Sequence, residues 1–258
     1  MKNEHLSSMK IIGIIPARYA SSRFPGKPLV DMLGQTMIQR VYAQVKKSKS
    51  LQDVVVATDD ERIHDHVLSF GGNSCMTLAS HHSGTDRCHE ALTLQKEKYD
   101  FAINIQGDEP FIDPHQIDLL CSSLTQQTEL ATLIQKISTL EQLLSPGEAK
   151  VVINHTQEAI YFSRAPIPFV QKAEQKDWLS KTTFYRHVGL YAYRADVLEK
   201  ITKLSPSPLE KAESLEQLRW IENGFKIKTV ETEMEESICI DTPEDLEKAL
   251  LILKSWKG

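Results

Sequence analysis

A short apolar run that leads directly into a basic loop constrains the fold of this chain more than any other stretch. Residues 11–15 are apolar and Pro16 closes the run, which is too short to cross a membrane. Its length and composition are typical of a buried strand in a parallel sheet. In open α/β sheets, ligands bind at the loops after the carboxyl ends of strands, so we expect the next residues to form a binding site.

The loop after this strand combines cations, hydroxyl groups and a single glycine. Its polar side chains are Arg18, Ser21, Ser22, Arg23 and Lys27. Cations together with free backbone N–H groups favour a polyanion, most plausibly a nucleoside triphosphate. The alternative is a solvated basic loop. The loop is not a P-loop, because Lys27 precedes Pro28, and it lacks the three spaced glycines of a dinucleotide fingerprint.

Strand and helix patterns alternate through the first half of the chain, which predicts an α/β fold with a doubly wound, mostly parallel sheet. At about residues 131–195 strands dominate, so we expect a small inserted mixed β module that offers a surface for a homodimer. The whole chain, 1–258, is then one domain with an ordered core at about 10–253. Further local predictions are a long helix from Pro208 to Asn223, an exposed loop over 169–181 and a strand over 237–240.

Composition narrows the class of protein. The formal net charge of -5 argues against general nucleic-acid binding, which needs a basic face. No signal peptide and no apolar stretch of spanning length is evident, so we expect no membrane association. The four cysteines are widely spaced, with no Cys-x-x-Cys pair, which favours reduced thiols in a cytoplasmic protein.

Two carboxylates that are distant in sequence each follow an apolar strand pattern. Asp108 lies in an acidic turn, Gln106-Gly107-Asp108-Glu109-Pro110, and Asp241 follows a late apolar stretch. Carboxylates at strand ends of one sheet can converge on one cation, and Mg²⁺ prefers such oxygen ligands. An ordinary Asp-Glu-Pro turn and an extra helix cap are the alternatives.

Residues 81–90 contain three histidines and a cysteine, but their spacing does not match a zinc site. A helix start fits better. There Ser83, Gly84 and Thr85 would offer hydroxyl and backbone donors to an anion or a ribose.

Three segments of the second half suggest a sugar surface. His187, Gly189, Tyr191 and Tyr193 share one face of a predicted strand, although a core strand with buried aromatic residues is equally compatible. Arg164, between a strand and two prolines, suits bidentate capture of a carboxylate or, alternatively, a surface salt bridge. The last segment carries a helical face that is equally typical of solvated glutamates. That face comprises Glu213, Glu216, Gln217 and Trp220.

Taken in order, these segments resemble the CMP-Kdo synthetase family, the 3-deoxy-manno-octulosonate (Kdo) cytidylyltransferases, from Ile11 to about Leu250. The most specific segments are Arg-His-x-Gly-x-Tyr from Arg186 and Ser-Pro-Leu-Glu…Leu-Glu-Gln-Leu-Arg from Ser207. The opening Pro-Ala-Arg-Tyr-Ala-Ser-x-Arg is also similar to this family. Departures from the family pattern are Phe24 for leucine, Asp86 for glutamate, and the loop 145–150.

The resemblance implies a Rossmann-like nucleotidyltransferase that moves CMP from CTP to the anomeric 2-hydroxyl of Kdo and releases pyrophosphate, for lipopolysaccharide synthesis. It implies Mg²⁺ on Asp108 and Asp241, with Lys27 and Arg18 as further catalytic residues and no nucleophilic side chain. The implied nucleotide-binding residues are Arg18, Ser21, Ser22, Arg23, Lys27, Ser83, Arg87 and Gln106. The implied sugar-binding residues are Gln106, Arg164, His187, Tyr191, Glu216 and Gln217.

Other functions remain open at this stage. A cytidylyltransferase for 8-amino-Kdo or a sialic acid would share these motifs. A CTP-binding regulator without catalysis is disfavoured because both Asp108 and Asp241 are present, and a purely structural protein would not need so many polar residues at strand ends.

Overall fold

A computed structural model describes residues 9–20, 23–234 and 238–255. Its strands are β1 (Ile11–Ala17), β2 (Asp53–Thr58), β3 (Ser74–Met76), β4 (Phe101–Asn104), β5 (Leu130–Lys136), β6 (Lys150–Ile153), β7 (Ala159–Ser163), β8 (Tyr185–Arg194) and β9 (Ile227–Glu231). Its helices are α1 (Met37–Val45), α2 (Glu61–Ser69), α3 (Gly84–Thr93), α4 (Pro114–Ser122), α5 (Leu140–Leu144), α6 (Trp178–Lys181), α7 (Ala195–Ile201), α8 (Pro208–Glu213), α9 (Gln217–Glu222) and α10 (Pro243–Ser255).

The chain divides into two compact units. The first unit comprises Met1–Ser122 and Met234–Gly258, and the second unit comprises Ser123–Glu233. The second unit extends beyond the predicted module at 131–195, because β5 pairs in parallel with β9, which lies well past residue 195.

The first unit is built on parallel strands in the order β3-β2-β1-β4. The apolar run of the opening stretch forms β1, and Ile14 pairs with Val55 on one side and Asn104 on the other. Ile11, Ile12, Ile14 and Ile15 are all buried, as expected of a strand covered on both faces. The predicted α/β fold with a mostly parallel sheet is confirmed.

The second unit is mixed, as predicted. β5 pairs antiparallel with β8 and parallel with β9, while β6 pairs antiparallel with β7 and β8. The predicted turn at 154–158 is confirmed, since the Asn154 N–H donates to the Glu158 carbonyl at 2.9 Å. Within the described residues, no helix is long and apolar enough to span a membrane.

Three local predictions differ from the structure. The helix predicted from Pro208 to Asn223 is broken into α8 and α9 at Ser214, whose φ of 52° and ψ of 47° are left-handed. The loop at 169–181 contains α6, because Trp178 is buried and stacks on Phe184. Of the strand at 237–240, Ser237 lies outside the described residues and 238–240 form no regular element.

Candidate active site

A cleft with a volume of about 480 Å³ lies in the first unit, beside the carboxyl ends of β1 and β4 and the first turn of α3. Its walls are mostly polar. The lining residues are Pro16, Ala17, Arg18, Ala20, Arg23, Lys27, Pro28, Ser83, Gly84, Arg87, Gln106, Gly107, Asp108 and Asp241. The predicted location at the ends of parallel strands is therefore confirmed.

The basic loop is held in shape by a turn and an aromatic contact. Gly26 has a φ of 73°, which favours glycine, and its N–H donates to the Tyr19 carbonyl at 2.9 Å. The Arg62 guanidinium lies 3.3 Å from the centroid of the Tyr19 ring. These contacts tie the start of the loop to its end and to α2, with Arg18, Arg23 and Lys27 on the cleft.

Gly107 allows the loops after β1 and β4 to approach each other closely. A Cβ atom at this position would lie 2.6 Å from the Pro16 carbonyl oxygen, which no side chain tolerates. The next residue, Asp108, accepts a hydrogen bond through its carbonyl from the Ile240 N–H at 2.9 Å. Ile240 is itself fully buried in an apolar cluster with α10, and this contact fixes Asp241 near Asp108.

Asp108 and Asp241 converge on the Lys27 ammonium. Lys27 Nζ donates to Asp108 Oδ2 at 2.7 Å and to Asp241 Oδ1 at 3.2 Å, while Arg23 Nη2 lies 3.1 Å from the same Asp241 oxygen. Burial lowers the pKa of Lys27, which is only 8% exposed, but the two carboxylates outweigh this and raise it overall. The cleft therefore carries a balanced set of two cations and two anions at its metal-binding position.

Cys239 is a neighbour of this cluster that the sequence did not reveal. Possible ligand atoms of Asp108, Cys239 and Asp241 all lie within 4.8 Å of one another, and no other such trio occurs in the described ranges. Burial, followed by the charges of the two aspartates, raises the pKa of the Cys239 thiol, so it is neutral at physiological pH. An isolated cysteine in the sequence gives no signal of this proximity.

The start of α3 behaves as predicted for Ser83 but not for Arg87. The Ser83 hydroxyl caps the helix by accepting the Asp86 N–H at 3.1 Å, and Gly84 follows it on the cleft. Arg87 is only 1% exposed and donates to Thr77 Oγ1 and to Asp59 Oδ2. Arg87 thus lines the cleft with its guanidinium already engaged.

The residues predicted to bind sugar lie in the second unit, except Gln106, which lines the cleft. The His187 ring contacts Tyr191, with centroids 5.0 Å apart, and its Nε2 lies 3.0 Å from Thr132 Oγ1. Burial, assisted by the charge of Arg186, lowers the pKa of His187 to about 4, so the imidazole is neutral at pH 7. The shared face predicted for His187, Tyr191 and Tyr193 is borne out by their ring contacts.

The other predicted sugar residues have differing environments. Glu216 begins α9 and acts electrostatically on Tyr191, and Gln217 is buried beside it. Arg164 is not arranged for free bidentate capture of a carboxylate, because its guanidinium donates to the carbonyls of Glu213, Pro146 and Ser214. Of the predicted nucleotide residues, Ser21 and Ser22 lie outside the described residues.

Comparison with known proteins identifies the class of this protein. A sequence model of the cytidylyltransferase family matches residues 12–238. A 3-deoxy-manno-octulosonate cytidylyltransferase from Cytophaga hutchinsonii is 56% identical over 241 residues, which cover 93% of this chain and 96% of the relative. A relative of the same name from Parabacteroides distasonis is 56% identical over 250 residues, 95% of this chain and 98% of that protein.

Solved structures agree with these relatives. A CMP:2-keto-3-deoxy-manno-octonic acid synthetase complexed with CTP superposes with a TM-score of 0.87 at 42% identity, covering 95% of this chain and 99% of that one. A 4-diphosphocytidyl-2C-methyl-D-erythritol synthase from Anaerococcus prevotii matches with a TM-score of 0.63 at 14% identity, covering 95% of this chain and 99% of that one, a likeness of fold alone.

Fold, cleft and comparisons together define a nucleotidyltransferase of the cytidylyltransferase class. Within that class, the chain belongs to the family of 3-deoxy-manno-octulosonate cytidylyltransferases. The resemblance inferred from the motifs is thus confirmed.

Proposed function

We propose that this protein transfers CMP from CTP to the anomeric 2-hydroxyl of Kdo, releasing pyrophosphate and activating the sugar for lipopolysaccharide synthesis. The observation that carries the proposal is the convergence of Asp108 and Asp241, 133 residues apart, on Lys27 in a cation-lined cleft. Relatives that share 56% of their residues with this chain carry the corresponding name.

The cleft suits a triphosphate for electrostatic reasons. Arg18, Arg23 and Lys27 lie on one side, and the start of α3 at Ser83 and Gly84 lies on another. Charge-assisted hydrogen bonds from the cations, together with N–H groups at a helix start, stabilise phosphate oxygens. The same cations are available to the pyrophosphate as it departs, where negative charge accumulates on the leaving group.

The donor set of the cleft fits Mg²⁺. Asp108 and Asp241 supply the carboxylate oxygens that this cation prefers, and we propose that these two residues hold it. A bound Mg²⁺ supplies neutralisation of phosphate charge and a lower pKa for a hydroxyl group bound to it. Lys27 contacts the same two carboxylates, so its ammonium and a divalent cation compete for these oxygens, and Lys27 is free for phosphate once it leaves them.

We propose that the second unit binds the acid sugar. His187 is neutral and can exchange hydrogen bonds with a hydroxyl group in either direction, while Glu216 offers a carboxylate acceptor. Arg164 is the cation of this set, and Gln106 supplies an amide from the cleft. A sugar acid has both hydroxyl groups and a carboxylate, which matches this chemistry.

We also propose a cytoplasmic homodimer. The four cysteines are free thiols, as the reducing cytoplasm requires. Large apolar side chains of the second unit are exposed, notably Ile160 at 54% and Phe169 at 75%, and a second copy would cover such positions. Sedimentation equilibrium tests this directly, and a monomer at micromolar concentration would contradict it.

The experiment for the main proposal is pyrophosphate release from CTP and Mg²⁺ with each of Kdo, 8-amino-Kdo and a sialic acid. We expect Kdo to give the highest kcat/KM. Turnover with only the amino sugar would replace the proposed acceptor. CTP binding without turnover of any of the three sugars would favour a non-catalytic regulator.

A further inference from the structure

One carboxylate in the second unit joins the end of β7 to the end of α8. Glu213 Oε1 accepts a hydrogen bond from Ser163 Oγ at 2.6 Å, and Glu213 Oε2 accepts the Arg164 N–H at 2.9 Å. The Tyr161 hydroxyl lies 3.5 Å from Oε1. Burial raises the pKa of Glu213, but these hydrogen bonds outweigh it and lower the pKa overall, so the carboxylate is ionised at neutral pH.

Arg164 returns the connection in the opposite direction. Its Nε donates to the Glu213 carbonyl at 2.8 Å, and its Nη2 donates to the Ser214 carbonyl at 3.3 Å. Its Nη1 donates to the Pro146 carbonyl at 2.9 Å. The orientation of the guanidinium is therefore fixed by backbone whose own position depends on Glu213.

The same contacts account for the break between α8 and α9. In an uninterrupted helix Glu213, Glu216 and Gln217 would share one face, because they are three and four residues apart. The left-handed conformation of Ser214 instead leaves Glu213 on β7 and starts α9 at once with the other two. A left-handed serine costs about 1–2 kcal/mol, and the hydrogen bonds between β7 and the break offset that cost.

We propose that Glu213 is a positioning residue for acid-sugar binding: it orients Arg164 and fixes the turn that presents Glu216 and Gln217. The proposal rests on the proposed function of the second unit. Glu213 acts through these residues and not as a ligand itself, because both of its carboxylate oxygens already accept protein hydrogen bonds.

The test compares steady-state kinetics of Glu213→Gln, Ser163→Ala and Glu222→Gln with the wild-type protein. Glu213→Gln removes the charge and replaces one acceptor oxygen with an N–H donor, whereas Ser163→Ala removes a single hydrogen bond. Glu222→Gln is the matched control, since this carboxylate on the neighbouring helix accepts only the Leu209 N–H at 3.3 Å. Thermal unfolding and circular dichroism establish that each variant is folded.

We expect Glu213→Gln to raise KM for Kdo about tenfold or more, with kcat and KM for CTP within about twofold of wild type. Ser163→Ala should raise KM for Kdo about threefold, and Glu222→Gln should leave it unchanged. A KM for Kdo within twofold in both test variants would overturn the proposal, as would an equal rise in KM for CTP. If Glu213→Gln does not fold, Ser163→Ala decides.

Failure of the proposed function would look different. If the wild-type protein prefers another acid sugar, the acceptor assignment fails while the same comparison, made with that sugar, still tests Glu213. If the wild-type protein turns over Kdo and all variants match it, only the positioning role fails.

Discussion

Replacing Asp108 with asparagine tests the cleft most selectively among single substitutions. Asparagine has nearly the same size and can still accept a hydrogen bond from Lys27, so the loop geometry is retained. The charge balance changes, because Lys27 and Arg23 then face one carboxylate where they previously faced two. The pair of oxygen ligands proposed for Mg²⁺ is reduced to Asp241 alone.

Two magnitudes follow from this geometry. Loss of one carboxylate ligand should lower kcat on the order of 100-fold or more, which corresponds to about 2.7 kcal/mol of activation free energy. The free energy of unfolding should change less, because Asp108 is partly exposed and Lys27 retains Asp241 at 3.2 Å. We expect a loss of about 1 kcal/mol, seen as a fall in Tm of about 2–4 °C.

Pyrophosphate release with saturating CTP, Kdo and Mg²⁺ measures the first magnitude, and thermal unfolding measures the second. Asp113→Asn is the control, since Asp113 is an exposed carboxylate in the same segment and starts α4, where asparagine is an equally good cap. Near-normal turnover by a folded Asp108→Asn protein would refute the assignment of Asp108 to the metal.

Three further predictions follow from the described contacts. Gly107→Ala should lower the free energy of unfolding by about 1–3 kcal/mol and reduce turnover, because its Cβ would meet the Pro16 carbonyl, whereas Gly147→Ala should do neither; equal effects of the two in urea unfolding and activity would contradict this. Because His187 has a pKa of about 4 in the folded protein and about 6.5 unfolded, the unfolded chain binds more protons below pH 6.5, and stability should fall by about 2 kcal/mol from pH 7 to pH 5; a His187→Phe variant with the same pH slope in urea unfolding would disprove it. Lys27→Met should raise the affinity of the nucleotide-free protein for Mn²⁺ about tenfold or more, measured by electron paramagnetic resonance, since the competing ammonium is gone; unchanged affinity would argue against competition.

The position of the cleft was predictable because parallel strands bring their carboxyl ends to one edge. That rule is independent of the distance in sequence, so it predicted that Asp108 and Asp241 would meet, and they do. The partners within the cleft were not predictable in the same way. Lys27 reads as a phosphate ligand in the sequence, and only coordinates reveal that it contacts both carboxylates.

Tertiary contacts explain where local patterns were misleading. Residues 208–223 have helical spacing and contain no proline after the first position and no glycine, so the pattern predicts an unbroken helix. The break occurs at Ser214 because Glu213 and Arg164 bond across to each other's segments, and such contacts lie 49 residues apart in the chain. Arg164 was expected to face a ligand, and its backbone partners could not be inferred from its neighbours in sequence.

The central claim is transfer of CMP from CTP to Kdo in a cleft that depends on Asp108 and Asp241. Its most direct test is ³¹P nuclear magnetic resonance of the purified protein with CTP, Kdo and Mg²⁺. We predict that CTP resonances disappear while equal amounts of a phosphodiester and pyrophosphate appear, and that Asp241→Asn slows this conversion at least about 100-fold. Unchanged CTP resonances with the folded wild-type protein, or hydrolysis to CMP without a phosphodiester, would contradict the account.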